Sequence, residues 1–277
     1  MSIFGPQRAP KGTRAYLKGI VRRYIIYALN TIERLRRRWI YQRRRNTLPR
    51  LVAQGDSWFC YPLPQPIDTL QHLSRSYAIN VLAGGARRTG AMVTPHQLTH
   101  FKRAIERQSP AGVLLTGGGV DLLDIMNARA VRTPYTGTAF TPETPDFLNH
   151  KDIEPILKNI EENLIILAQT ALKAGVAKVF LIGYDYLHVW PKSGQTIRDS
   201  LDMAGIAPNH HKKTVKALMD LLFAAHQRVA EKTPGLTYIR VYGMAGPRSK
   251  WPDEAHAHSQ GYAQIADHIH GILARSL

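Results

Sequence analysis

The sequence predicts an α/β protein: a three-layer α/β/α sandwich on a five-stranded, mostly parallel sheet, preceded by a basic amphipathic helical segment. Three observations predict it. From Leu48 onward, short apolar runs alternate with longer stretches of helical period, the pattern of parallel strands joined by crossover helices that cover both sheet faces. The 277 residues are 44% hydrophobic and 21% charged, a balance that buries a core and excludes global disorder, collagen-like repeats and disulfide-stapled miniproteins. The charge is also uneven: the chain carries +17, of which +13 belongs to residues 1–50 and only +4 to the remainder, so domain boundaries are expected at 1–47 and 48–277.

The leading segment comes first. Between Arg14 and Arg45 the residues Leu17, Val21, Tyr24, Ala28, Ile32, Leu35 and Trp39 recur at helical spacing, with arginines filling much of the remaining surface and Glu33 as the one acid. The longest uncharged run, Tyr24 to Ile32, is far shorter than the roughly 20 residues that span a bilayer. Three uses stay open: docking the apolar stripe on the main domain, lying on an anionic membrane surface through residues 14–45, or approaching nucleic-acid phosphates. Nucleic acid ranks last, because no recognition module accompanies the arginines. No continuous apolar run marks a secretory signal, so a cytoplasmic or membrane-peripheral location is favoured without the compartment being fixed. The lone Cys60 cannot form an internal disulfide.

In the main domain the strands are expected at Leu51–Gln54, Ile79–Ala83, Val113–Thr116, Lys178–Ile182 and Thr237–Val241. Helices are expected near Ile67–Ser74, Pro95–Gln108, Ile153–Ala174, Lys212–Lys232 and Ser259–Leu277. Asn127 to Lys151, rich in Thr, Pro and Gly, reads as a long loop, and Gly183–Gly205 as a second irregular stretch. In an open α/β sheet the ligand site lies at the carboxyl ends of the strands, where the loops after strands one to four converge.

Four elements there carry chemistry. The first strand runs into Gly55-Asp56-Ser57-Trp58, a tight turn that would lift a serine hydroxyl to the sheet edge. Asp253 lies three residues before His256, ahead of a terminal helix; an Asp so placed can fix the imidazole tautomer and leave the other nitrogen to take a serine proton. Two glycine turns, Gly84-Gly85 and Gly117-Gly118-Gly119, could bring bare backbone N–H groups to a ligand oxygen. Taken singly, each also reads as an ordinary turn or a surface histidine.

In order along the chain, these four elements resemble the SGNH hydrolase superfamily, the GDSL-type esterases and lipases, over about residues 48–277. Gly55-Asp56-Ser57 matches the nucleophile block, Gly85 the second-block glycine, Gly118 to Asp121 the Gly-x-Asn-Asp block, and Asp253-x-x-His256 the last block. The resemblance implies a flavodoxin-like α/β/α fold and a serine hydrolase acting on a carboxylic ester, lipid or acetylated substrate without cofactor or metal. It implies Ser57 as nucleophile, His256 as base, Asp253 as its orienting acid, and an oxyanion hole from the backbones of Ser57, Gly85 and Gly119. One position departs from the pattern. Val120 stands where the family has an asparagine donor, a loss typically worth about 10²–10³-fold in turnover, for which Asn127 or Thr116 are candidate substitutes. The alternative function is therefore a catalytically impaired binding protein on this scaffold, tethered to an anionic membrane or a partner by its basic helix.

Around the serine, Trp58 and Tyr184 are expected to bind substrate, with Phe59 and Tyr61 as further candidates, while Cys60 reads as a small buried neighbour. Histidines 188, 210, 211, 226, 268 and 270 lack zinc-site spacing, and the Asp-x-x-His register selects His256 over His258. The ester itself and the oligomeric state are not encoded in these patterns.

Overall fold

A computed structural model describes residues 31–61, 67–126, 134–136, 146–190, 196–247 and 251–277. The five strands are β1 (Arg50–Gln54), β2 (Ala78–Val81), β3 (Gly112–Leu115), β4 (Val179–Ile182) and β5 (Leu236–Ile239). They form one sheet in the order β2-β1-β3-β4-β5, and every pairing is parallel. β3 and β4 are buried at every position and β1 at all but Arg50, which is why they read as unbroken apolar runs. β5, at one edge, keeps only its end residues buried.

Helix α1 covers residues 31–44. It is followed by α2 (Thr69–Leu73), α3 (Thr89–Met92), α4 (Pro95–Gln108), α5 (Gly119–Ile125), α6 (His150–Lys173), α7 (Thr196–Met203), α8 (Pro208–Glu231) and α9 (Ser259–Ser276). α4, α6 and α8 pack side by side as one layer, and α2 with α9 belongs to the other. The expected strands and long helices are present within a few residues. α8 starts four residues earlier than expected because Pro208 occupies its first turn, where its missing N–H costs nothing.

The short helices α3, α5 and α7 depart from the expectation of turns and irregular chain. α5 was hidden in a glycine run: Gly118 is its N-cap at φ +105°, a conformation only glycine adopts without strain, and the helix starts at the next residue. Gly183–Gly205 contains α7, whose first turn receives the Glu254 carboxylate: the Ile197 N–H donates to it at 2.9 Å and the Arg198 N–H at 3.3 Å. Of the expected Asn127–Lys151 loop, most lies outside the described residues; the described part holds an antiparallel bridge between Tyr135 and Leu148 and the first turn of α6.

α1 docks differently from expectation. Glu33, Arg37 and Tyr41 face inward and are buried, whereas Ile32, Leu35 and Trp39 of the apolar stripe are exposed. Arg37 donates to Glu33 at 2.7 Å, to the Phe59 carbonyl at 2.8 Å, and to Asp68. Gln71 on α2 donates to Glu33 at 2.6 Å, and the Tyr41 hydroxyl reaches Gln108 at the end of α4 at 2.9 Å. The helix is thus fastened by a buried ionic network rather than by its apolar residues. The part of the segment before residue 31 lies outside the described residues. Among the described residues no helix is long and apolar enough to cross a membrane.

Candidate active site

β1, β2 and β3 all end on the same sheet edge, and their following loops build the site. Gly55 leaves β1 so close to β3 that an added Cβ would lie 2.4 Å from the Thr116 methyl and 3.0 Å from its carbonyl oxygen. Only glycine passes there, and the chain can then turn at once into Asp56 and Ser57. Asp56 is buried; its carboxylate accepts the Trp58 N–H at 3.0 Å and the Tyr184 hydroxyl at 2.6 Å, and its carbonyl accepts the Phe59 and Cys60 N–H groups. Burial pushes the Asp56 carboxyl up from its ordinary value, against the opposing pull of Tyr184 and the Trp58 amide.

The serine this turn presents meets the loop before α9. His256 Nε2 lies 2.8 Å from Ser57 Oγ, and His256 Nδ1 lies 2.9 Å from both carboxylate oxygens of Asp253. Asp253 also accepts the backbone N–H groups of Ala255 and His256, each at 2.8 Å, so a three-residue turn fixes the acid against its own histidine. A carboxylate at Nδ1 selects the tautomer with its proton there, leaving Nε2 as acceptor for the serine O–H. Burial alone would raise the Asp253 pKa, but the hydrogen bond and charge of His256, the Ala255 N–H and the Tyr61 hydroxyl outweigh it and hold the acid ionised below its ordinary range.

Tyr61 is the participant sequence reasoning undervalued. Its hydroxyl donates to Asp253 at 3.1 Å, and its ring meets the His256 imidazole edge-on, with centroids 4.4 Å apart. It thereby braces both partners of the serine, and burial together with Asp253 raises its own pKa. Its place four residues after the serine was the only signal.

The expected oxyanion donors divide. Among the described residues neither the Ser57 nor the Gly85 N–H has a hydrogen-bond partner, and Gly85 runs beside the serine loop, its Cβ position 3.5 Å from the Cys60 carbonyl oxygen. Gly119 opens α5 against the Tyr184 ring, which an added Cβ would meet at 3.0 Å. Val120 is buried and apolar. Asp121 instead joins the second and third loops by accepting the Thr89 N–H at 3.0 Å and its hydroxyl at 2.9 Å. Thr116 is buried behind Gly55, and Asn127 lies outside the described residues.

Trp58 and Tyr184 also take a different place from the one expected. They are 4% and 2% exposed; Trp58 donates to the Ala255 carbonyl at 3.1 Å and meets Tyr184 and Tyr262 edge-on, with centroids 5.2 and 5.5 Å apart. Trp58 holds the serine and histidine loops together, Tyr184 holds the chain after β4 to the serine turn, and neither leaves an open face for a substrate. Cys60 is buried, and burial raises its thiol pKa. His258 caps α9, accepting the Gly261 N–H at 2.9 Å, which removes it as a rival base. Among the described residues no group of three or more His, Cys, Asp or Glu side chains could hold a metal ion.

No protein-family model and no curated protein matches the chain. Solved structures do. One is a protein of Slackia heliotrinireducens provisionally described as an SGNH hydrolase, 14% identical, with a TM-score of 0.50, covering 80% of this chain and 97% of its own. Others are a provisionally described acylhydrolase of Bacteroides fragilis (17% identity, 85% and 95% covered, TM-score 0.44) and a family 3 carbohydrate esterase of Clostridium thermocellum (13%, 83% and 98%, 0.48). The chain has an SGNH hydrolase-like fold.

Proposed function

We propose that the protein is a serine hydrolase that cleaves a carboxylic ester through Ser57, His256 and Asp253. The observation that carries this reading is the unbroken hydrogen-bond chain from Asp253 through His256 to Ser57. In the first half-reaction Ser57 Oγ adds to the ester carbonyl while its proton passes to His256 Nε2. The resulting oxyanion faces the N–H groups of Ser57 and Gly85. Collapse expels the alcohol, which takes the proton from His256 and leaves an acyl-serine. Water then adds with His256 again as base, releasing the acid and restoring the serine. Asp253, held ionised, stabilises the imidazolium formed in each step.

The test is turnover of short-chain p-nitrophenyl esters by the wild type, Ser57→Ala and His256→Ala, together with fluorophosphonate labelling of Ser57. The wild type is expected to label and turn over, and each variant to fall by about 10⁴-fold or more. Equal background rates in three folded proteins, with no labelling, overturn the reading.

A second reading, a binding protein with impaired catalysis, is favoured by one observation: Val120 is buried and apolar and supplies no donor. Val120→Asn separates the two. If catalysis is limited by the missing donor, the variant gains up to about 10²-fold in turnover; no gain, with fluorophosphonate still reacting in the wild type, means that two backbone donors suffice.

A further inference from the structure

We propose that α1 and α4 form a docking face for an anionic lipid bilayer. A cavity of about 630 Å³ opens along the outer edge of β2, between these two helices. α1 lines it with Arg34 and Arg38, four residues apart on one helix face, and Arg45 follows directly after its last turn. α4 contributes Arg103 and Arg107, again four apart. Among the described residues of its wall there is no carboxylate. The Tyr41–Gln108 hydrogen bond ties the two helices at one end of this opening and sets its geometry. Arg38, Arg45, Arg103 and Arg107, which meet no carboxylate among the described residues, converge from both sides and hold a field that phosphate groups neutralise.

The neighbouring face of α1 decides which phosphates. Ile32, Leu35 and Trp39 are 58%, 62% and 58% exposed, three large apolar side chains on successive turns beside the arginine face. Arg43 lies over the Trp39 ring, 4.7 Å from its centroid. A soluble polyphosphate or a nucleic-acid backbone would leave this ridge in water. A bilayer takes both parts: lipid phosphates meet the arginines, and the apolar ridge enters the boundary between headgroups and acyl chains, where tryptophan is favoured. The ridge is held outward because the opposite face of α1 is locked by Glu33 and Arg37, so little ordering remains to be done on docking. The +13 carried by residues 1–50 adds long-range attraction to an anionic leaflet.

Co-sedimentation of the full chain with phosphatidylglycerol–phosphatidylcholine vesicles, against pure phosphatidylcholine, tests this. Binding is expected to the mixed vesicles only. Arg103→Gln with Arg107→Gln is expected to weaken it about thirtyfold, at about fivefold per charge removed. Leu35→Ser with Trp39→Ser is expected to weaken it at least tenfold, and Arg103→Lys with Arg107→Lys to bind as the wild type does, all with unchanged urea unfolding midpoints. Wild-type binding by either disruptive pair overturns the proposal, as does loss of binding in the lysine pair. Saturable binding of inorganic tripolyphosphate or duplex DNA without vesicle binding overturns it in favour of a soluble polyanion.

Discussion

At the scale of single residues, the site depends on how Asp253 is held. Its carboxylate accepts two backbone N–H groups, the imidazole and the Tyr61 hydroxyl, and these keep it ionised where burial would otherwise raise its pKa. Asp253→Asn keeps the shape but offers an amide N–H or carbonyl to Nδ1 and weakens the tautomer choice; on the proposed mechanism kcat falls by about 10³–10⁴-fold with KM little changed, measured on p-nitrophenyl acetate. Tyr61→Phe removes one donor to the acid and leaves the ring contact, so a smaller loss is expected, with the acid limb of the pH–rate profile moved to higher pH because Asp253 then protonates more readily. A limb that stays in place would show that Tyr61 only packs. Ser57, His256 and Asp253 were legible because their chemistry is written in short local spacings. Tyr61 was not: its partner is 192 residues away, and an aromatic near a nucleophile reads equally as core. The same ambiguity misplaced Trp58 and Tyr184, whose polar atoms are satisfied within the wall by Ala255 and Asp56.

Elements were legible in proportion to their length. α4, α6, α8 and α9 announce themselves by a repeating apolar period, whereas α3, α5 and α7 are too short for one and depend on partners distant in sequence. α1 shows the opposite failure. Its period offered the apolar stripe as one of three possible contacts, but the single acid of the first 50 residues, Glu33, sits four residues from Arg37, and that pair with Asp68 settles which face turns inward. Arg37 is nearly buried with both carboxylates, and its hydrogen bond to the Phe59 carbonyl reaches the loop that carries Ser57. Arg37→Met would strand the buried Asp68 without its cation, while Glu33 keeps its ion pair with Arg36. Removing one partner of a buried ion pair typically costs about 3–5 kcal/mol, so urea denaturation should report a loss of that size. Arg38→Met, on the cavity face, should change stability by less than about 0.5 kcal/mol. Equal effects would mean that α1 is not held by this network.

Among the described residues the molecule is an all-parallel sheet whose site-bearing edge is supported from behind by helices, and one support is a buried histidine. His226, on α8, is fully buried and its Nε2 lies 2.9 Å from the Gly117 carbonyl, so Nε2 carries the proton and donates into the turn between β3 and α5. The rings of Tyr184 and Tyr238 flank it. Burial lowers its pKa from 6.5 to about 4, against a smaller opposing effect of the Gly117 carbonyl. The sign follows from linkage: below pH 6.5 the unfolded chain takes up a proton that the folded chain refuses until about pH 4, so this histidine removes stability progressively as pH falls through that window. A shift of this size corresponds to about 3 kcal/mol at its lower end. The buried acids Asp56, Asp68 and Asp121, whose pKa values burial raises, act in the opposite sense, so the total slope mixes signs. Comparing the wild type with His226→Gln isolates the term, because the glutamine amide can still donate to Gly117 and every other group is common to both. Unfolding free energies from urea titrations at pH 7 and pH 4 should show the wild type losing about 3 kcal/mol more than the variant. Parallel losses would place His226 in an environment that accepts its charge, and the turn that positions Gly118 and Gly119 would then owe its rigidity to something other than this hydrogen bond.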